Sequence, residues 1–176
     1  MTDQALPIET PTEHAQWRIE TLQLVNWGGF HGHHAVRIAR GSTLMSGGSG
    51  SGKSTLLDAY IALMMPSDVP FNGASNDAGG RARSPDQRNL LTYLRGKTDS
   101  ARVDGSDELR DHVLRGRAGG HVWGAIAATF VNDAQRRFTV MRLYFVKGGA
   151  TVNADIAPTY ATVDGSRNLS TFEPLA

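Results

Sequence analysis

Apolar and polar residues alternate near the start of the chain, and a period of two predicts β-strands. The first strand is predicted over residues 18–26, where Leu22 and Leu24 fall on one face. Shorter alternating stretches predict strands over residues 35–39 and 43–45, the last of which runs directly into a glycine-rich segment. The N-terminal part of the chain therefore has the pattern of a small sheet.

Residues that favour β-strands return in the second half of the chain. Residues 121–131 and 138–147 are long β-rich runs, and the polar segment 132–137 between them predicts a hairpin. A weaker pair of strands is expected over residues 151–156 and 160–163.

Between these two regions the spacing of apolar residues becomes helical. One helix is predicted after the glycine-rich segment and ends at Pro66; its apolar positions are Leu56, Leu57, Tyr60, Ile61 and Met64. Residues 66–120 are rich in Pro, Gly, Asn, Asp and Ser, and only residues 87–94 and 108–114 predict short helices there. Residues 1–15 show no periodicity and are expected to be a disordered tail.

Net charge, cysteine content and the length of the apolar runs exclude several classes of protein. The formal charge of +1 excludes a strongly basic chain, although it allows a local basic patch. The absence of cysteine excludes disulfides, thiol catalysis and thiolate-bound zinc. No apolar run is long enough to span a bilayer and no signal peptide is evident, so we expect a cytoplasmic protein that does not enter a membrane.

The glycine-rich segment carries the clearest chemistry. Residues 47–54, Gly-Gly-Ser-Gly-Ser-Gly-Lys-Ser, fit the phosphate-binding pattern G-x-x-x-x-G-K-[ST] and open a predicted helix. Glycines allow backbone N–H groups to turn toward an anion, and the helix N-terminus adds its positive dipole. Lys53 is expected on the β- and γ-phosphates and Ser54 on Mg²⁺. The predicted nucleotide ligands in this segment are Gly47, Gly48, Ser49, Gly50, Ser51, Gly52, Lys53, Ser54 and Thr55.

A second acidic element, which would hold Mg²⁺ and activate water, is not evident. Asp133 falls in the expected hairpin loop, and the acidic residues between 104 and 111 are better explained as a solvated surface. His31, His33 and His34 lie near a short strand with no carboxylate close in sequence, which argues against a metal site. The sequence thus predicts a phosphate cradle without its own hydrolytic groups, and no catalytic residue is assigned.

A basic stretch over residues 81–97 is a candidate contact to a nucleic-acid backbone, although a solvated surface explains it equally well. Its DNA-contact candidates are Arg81, Arg83, Arg88 and Lys97.

Several segments together resemble the start of an SMC-family ATPase head. These are the run from Ile19 to Phe30 with Asn26-Trp27 near its end, and the segment Gly-Lys-Ser-Thr-Leu-Leu-Asp-Ala at residues 52–59. The stretches at 71–77 and 87–97, the second containing Leu94-Arg95-Gly96, are similar to the MukB-like SMC subunits of Wadjet plasmid-defence systems, the JetC or MksB type. Ser49 departs from this family, which usually has Asn there.

The resemblance implies an α/β P-loop NTPase of the ABC/SMC head type. Residues 16–176 would be its N-terminal lobe, with a mixed sheet and an antiparallel β-subdomain. The signature motif and the Asp-Glu pair would come from a distant C-terminal half-head, and ATP hydrolysis would need that half and a second head. Implied cofactors are ATP and Mg²⁺; implied partners are kleisin-type and accessory subunits and DNA, with localisation at the nucleoid or plasmid.

The resemblance also implies roles outside the loop, for which alternatives stay open. Asn26 and Trp27 would contact sugar or stack on adenine, unless Trp27 is only a core residue. Arg95 would lie near the γ-phosphate or DNA. A stand-alone small-molecule kinase or NTPase, and a non-hydrolysing nucleotide-dependent interaction module, are the competing functions.

Overall fold

The computed structural model describes residues 16–67, 69–71, 88–102 and 109–171; for residues 98–102, 109–111 and 118 it describes the backbone alone. The tail expected over residues 1–15 lies outside these ranges. The strands are β1 (Arg18–Trp27), β2 (Phe30–Arg37), β3 (Lys97–Arg102), β4 (Leu109–Val113), β5 (Val122–Val131), β6 (Arg137–Val146) and β7 (Ile156–Asp164). The helices are α1 (Lys53–Met64) and α2 (Leu90–Arg95), with short 3-10 turns at Arg117–Gly119 and Asn153–Asp155.

A five-stranded sheet forms the framework, in the order β2-β1-β5-β6-β7. Every pairing between its described strands is antiparallel, so the mixed sheet expected from the sequence is not seen in this part of the chain. The predicted β5–β6 hairpin is confirmed, with unbroken register from Val122 opposite Val146 to Val131 opposite Arg137. Of the weaker strand pair, residues 160–163 are confirmed as part of β7, whereas residues 153–155 form a turn and β7 pairs with β6 instead.

Two other local predictions are wrong, and the helix predicted over residues 87–94 is confirmed with a later start. Residues 43–45 form no strand, and the segment between β2 and α1 has no regular structure. Residues 109–113, expected to be helical, form β4 and pair antiparallel with β3. Helix α2 begins at Leu90, three residues after the predicted start, where the Asn89 side chain caps it. These are short segments, in which a tertiary partner outweighs local periodicity.

Helices α1 and α2 cover one face of the sheet. Helix α1 buries Asp58, Ala59 and Ala62 against it. Gly124 of β5 makes room for α2, since a Cβ built there would lie 2.6 Å from Leu94 Cδ2. The buried core on this face comprises Leu22, Leu24, Trp27, Ala59, Ala62, Tyr93, Leu94, Val122, Ile126, Ala128, Tyr144, Val146 and Ile156.

The opposite face of the sheet is covered in part by the segment that follows β7. Leu169 is fully buried there against Val25, Ala125, Ala127 and Met141. Gln23 of β1 holds this segment: its Nε2 donates to the Arg167 carbonyl at 2.7 Å, and its Oε1 accepts from the Leu169 N–H at 2.9 Å.

Candidate nucleotide-binding site

The loop over residues 47–52 leads directly into α1, as the phosphate-binding pattern requires. Gly52 precedes the first helical residue at φ 91°, a conformation that favours glycine. No described side chain caps the helix, and its first turn has no acidic residue. The N–H groups at the start of α1 therefore remain available for an anion, which the helix dipole also favours.

The Lys53 ammonium group lies over this loop. Its Nζ donates to the carbonyls of Gly47 at 2.6 Å and Gly48 at 2.7 Å, and to Ser51 Oγ at 3.2 Å. All of these groups are partly or fully exposed. The arrangement places a cation at the centre of the loop, where an entering phosphate would compete with the carbonyls for it.

The turn between β1 and β2 supports the loop from below. The Phe30 ring lies 3.0 Å from the position of a Cβ built on Gly52. A Cβ on Gly28 would lie 2.6 Å from Thr55 Cγ2 in the first turn of α1. The Gly28 N–H in turn donates to the Tyr93 carbonyl at 2.8 Å, so the turn lies between the start of α1 and α2.

Trp27 is a core residue, one of the two roles that the sequence left open, and its burial does not support the alternative of stacking on adenine. Its side chain is fully buried. The indole lies parallel to the Tyr93 ring at 4.7 Å between centroids, and Nε1 donates to the Thr55 carbonyl at 3.0 Å. No face of the indole is left for a base. An aromatic residue at the end of a strand next to a phosphate loop suggests a contact to the base, but only the packing decides whether its ring is exposed.

Asn26 holds the turn through its side chain. Its φ of 53° is left-handed, which Asn tolerates better than most residues, and its Oδ1 accepts from the Gly32 N–H at 3.0 Å. The expected contact to the nucleotide sugar stays a prediction.

The Arg95 guanidinium hydrogen-bonds to carbonyls in two loops of the protein. One guanidinium nitrogen donates to the carbonyls of Gly116 at 3.1 Å and Gly120 at 3.4 Å, and the other to the Ala150 carbonyl at 3.4 Å. None of these carbonyls belongs to the phosphate loop. These contacts are those of a loop anchor and do not support the expected role beside the γ-phosphate.

The DNA-contact candidates fall in different parts of the chain. Arg81 and Arg83 lie outside the described residues. Arg88 is half-exposed, and its Nη1 lies 3.8 Å from the buried carboxylate of Asp58. Lys97 is half-buried at the start of β3. The joint role of the four residues in contacting DNA stays a prediction.

Asp58 connects α1 to α2 through a buried hydrogen bond. Its Oδ2 accepts from the Tyr93 hydroxyl, and both side chains are buried. Burial, reinforced by the hydrogen bond to Asp58, raises the pKa of Tyr93 well above its ordinary value. Tyr93 therefore stays protonated and keeps donating, which fixes α2 against the helix that starts at the phosphate loop.

Arg115 is a buried residue that the sequence reasoning missed. Its guanidinium spans α2 and the β1–β2 turn by donating to the carbonyls of Leu94, Tyr93, Gly28 and Phe30. Burial lowers the pKa of Arg115 to about 10. The segment Val113-Leu114-Arg115-Gly116 gives a weak signal for such a role, because an arginine next to apolar residues and a glycine is common on surfaces too.

The residues considered for metal binding have other partners. Asp133 pairs with Arg40 at 3.1 Å, and both side chains are largely exposed. His33 bonds to Gln23 and His34 to the His31 carbonyl. Within the described ranges no group of three His, Asp or Glu side chains could hold a metal.

A cavity of about 170 Å³ lies at the other end of α1, lined among others by Ile61, Met65 and Arg142. The phosphate loop itself is an open surface. This is consistent with phosphate recognition through backbone N–H groups, which does not need an enclosed cavity.

In the described part of the chain, no helix is long and apolar enough to cross a membrane.

This chain is similar in sequence to a known protein family and to a known protein. The family described as the P-loop containing region of an AAA domain matches residues 19–78, which include β1, β2, the loop and α1. The chain is also 26% identical over 151 residues to the "Chromosome partition protein MukB" of Haemophilus ducreyi (strain 35000HP / ATCC 700724). That match covers 86% of this chain and 8% of the relative. Both matches support a P-loop, nucleotide-binding region of the SMC-like type.

Proposed function

We propose that this chain is the ATP-binding N-terminal half-head of an SMC-like DNA motor, acting in Wadjet-like plasmid defence or in chromosome organisation. Residues 16–176 form the half-head in this proposal, and a C-terminal half-head of the same protein completes it. ATP then holds it against a second head. Kleisin-type and accessory subunits and DNA are the further partners, and the complex works in the cytoplasm, at the nucleoid or on a plasmid.

One observation carries the proposal: Lys53 and the free N–H groups at the start of α1 meet at a single exposed loop. Carbonyls of Gly47 and Gly48 hold the ammonium group in place until a phosphate replaces them. Ser54, the next residue of the helix, is the proposed Mg²⁺ ligand through its hydroxyl. The match to a chromosome partition protein over 86% of this chain supports the choice of an SMC-like head.

Binding of Mg-ATP, followed by calorimetry, tests the nucleotide site. Lys53→Ala removes the cation over the loop and is expected to abolish binding. Lys147→Ala is the matched control, because Lys147 is an exposed lysine just beyond β6. Equal affinities of the wild type and Lys53→Ala would refute the assignment.

Hydrolysis by this chain alone is expected to be negligible. Lys53, Ser54 and the backbone donors hold the phosphates, but phosphoryl transfer also needs a positioned water and charge stabilisation on the far side of the γ-phosphate. Adding the C-terminal half-head should restore turnover. Transfer of phosphate to nucleoside monophosphates, lost in Lys53→Ala, would instead favour the small-molecule kinase.

DNA contact is proposed for the basic stretch 81–97. Contacts to phosphates should make binding by the assembled complex salt-dependent and insensitive to sequence. Charge reversal at Arg81 and Arg83 tests this more cleanly than a change at Arg88, which faces Asp58. Unchanged DNA affinity of the charge-reversed complex would refute the role.

A further inference from the structure

Arg115 joins two parts of the molecule that are distant in sequence. Its Nε donates to the Leu94 carbonyl at 2.8 Å, and its Nη2 to the carbonyls of Tyr93 at 2.9 Å and Gly28 at 2.8 Å. Its Nη1 lies 3.4 Å from the Phe30 carbonyl. One buried guanidinium therefore holds the last turn of α2 and the β1–β2 turn together.

The β1–β2 turn is also the support of the phosphate loop. The Phe30 ring packs against Gly52, the residue before α1. Gly28 lies so close to Thr55 that a side chain at position 28 would clash with it. A shift of the turn would therefore move the start of α1, where the N–H groups for phosphate are located. Arg115 hydrogen-bonds to the turn, so it acts on the loop through the turn.

The backbone of Arg115 is continuous with the β3–β4 hairpin. The Leu114 N–H donates to the Gly96 carbonyl at 3.2 Å, and the Arg115 N–H to the Arg95 carbonyl at 3.0 Å, just beyond the paired strands. A displacement of the hairpin would therefore move the guanidinium directly. A path of packed and hydrogen-bonded groups runs from the hairpin through Arg115 and the turn to the phosphate loop.

We propose that Arg115 is a positioning residue of the nucleotide site, and that it couples the β3–β4 hairpin to the phosphate loop through the turn at Gly28 and Phe30. The proposal rests on the proposed nucleotide binding for its functional consequence. The chemistry requires arginine: a guanidinium presents five N–H donors in a flat fork, whereas a lysine ammonium has three donors at one point and cannot reach all four carbonyls.

Amide hydrogen exchange of the nucleotide-free protein tests the link without relying on nucleotide binding. Arg115→Lys should raise exchange in peptides covering residues 27–32 and 52–57. Arg142→Gln is the control, because Arg142 is an equally buried arginine that donates to the Ala62 carbonyl near the other end of α1. It should leave both peptides unchanged. The proposal would be overturned if both peptides of Arg115→Lys exchanged at the wild-type rate, or if exchange rose uniformly across all peptides.

A double-mutant cycle on Mg-ATP affinity tests the functional consequence. Arg115→Lys should weaken binding by about tenfold, roughly the effect of losing one or two buried hydrogen bonds. Combined with Phe30→Leu it should cost much less than the product of the single effects, because both act through the same turn. Multiplicative effects would overturn the proposal. If the wild type binds no nucleotide while the exchange result holds, the proposed function fails and the link stands.

Discussion

Gly28→Ala is expected to be costly although the change adds one methyl group. The residue has a φ of 56°, so alanine there meets left-handed strain of about 1 kcal/mol. The new Cβ would lie 2.6 Å from Thr55 Cγ2 and 3.1 Å from Tyr93 Cδ1. Overpacking of this kind costs about 1–3 kcal/mol. The free energy of unfolding should therefore fall by about 3 kcal/mol, equivalent to a decrease in Tm of about 6–12 °C for a chain of this size.

Gly29→Ala is the matched control, since it is the next residue in the same turn. Its φ is not positive, and a Cβ there would have no neighbour within 4 Å. Its stability should stay within about 0.5 kcal/mol of the wild type. Denaturant unfolding followed by circular dichroism measures both variants, with an unchanged slope as the check for two-state behaviour.

One further variant measures the part of the cost that comes from crowding against Thr55. Thr55→Ser removes the methyl group that a Cβ at Gly28 would meet, so the Gly28→Ala/Thr55→Ser double variant should recover about 1 kcal/mol relative to additivity. Equal stability of Gly28→Ala and Gly29→Ala would refute the reasoning.

Three further outcomes follow from other contacts. Arg137 donates to both carboxylate oxygens of Glu20, at 2.7 and 2.8 Å, and this contact lowers the pKa of Glu20. The stability that the ion pair contributes is therefore present above the unfolded pKa of Glu20 and is lost as the pH falls through the lower folded pKa. Glu20→Gln should lose about 1 kcal/mol or less at pH 7, and this difference from the wild type should vanish when unfolding is measured at acid pH. Asn89→Ala removes the cap of α2 and should cost about 1 kcal/mol in denaturant unfolding. Gln23→Leu should release the segment around Leu169, seen as faster amide exchange there, while exchange at the start of α1 stays unchanged.

Elements with a long pattern or a specific chemistry could be predicted from the amino-acid sequence. Alternation predicted β1, and long runs of β-forming residues predicted β5 and β6. A glycine-rich loop that ends in Lys53 and Ser54 and is followed by an amphipathic helix predicted α1 and the phosphate loop. These features are local, so the sequence contains them in full.

Tertiary structure alone decided which side chains are exposed and which partners short segments find. The sequence left open whether Trp27 stacks on adenine or fills the core, and the structure packs it on Tyr93 with a hydrogen bond to the Thr55 carbonyl. The segment that forms β4 has a helical spacing, yet pairing with β3 satisfies its backbone. Arg115 gains its four carbonyls only when α2 and the β1–β2 turn meet, and no periodicity encodes a contact between residues more than 80 positions apart.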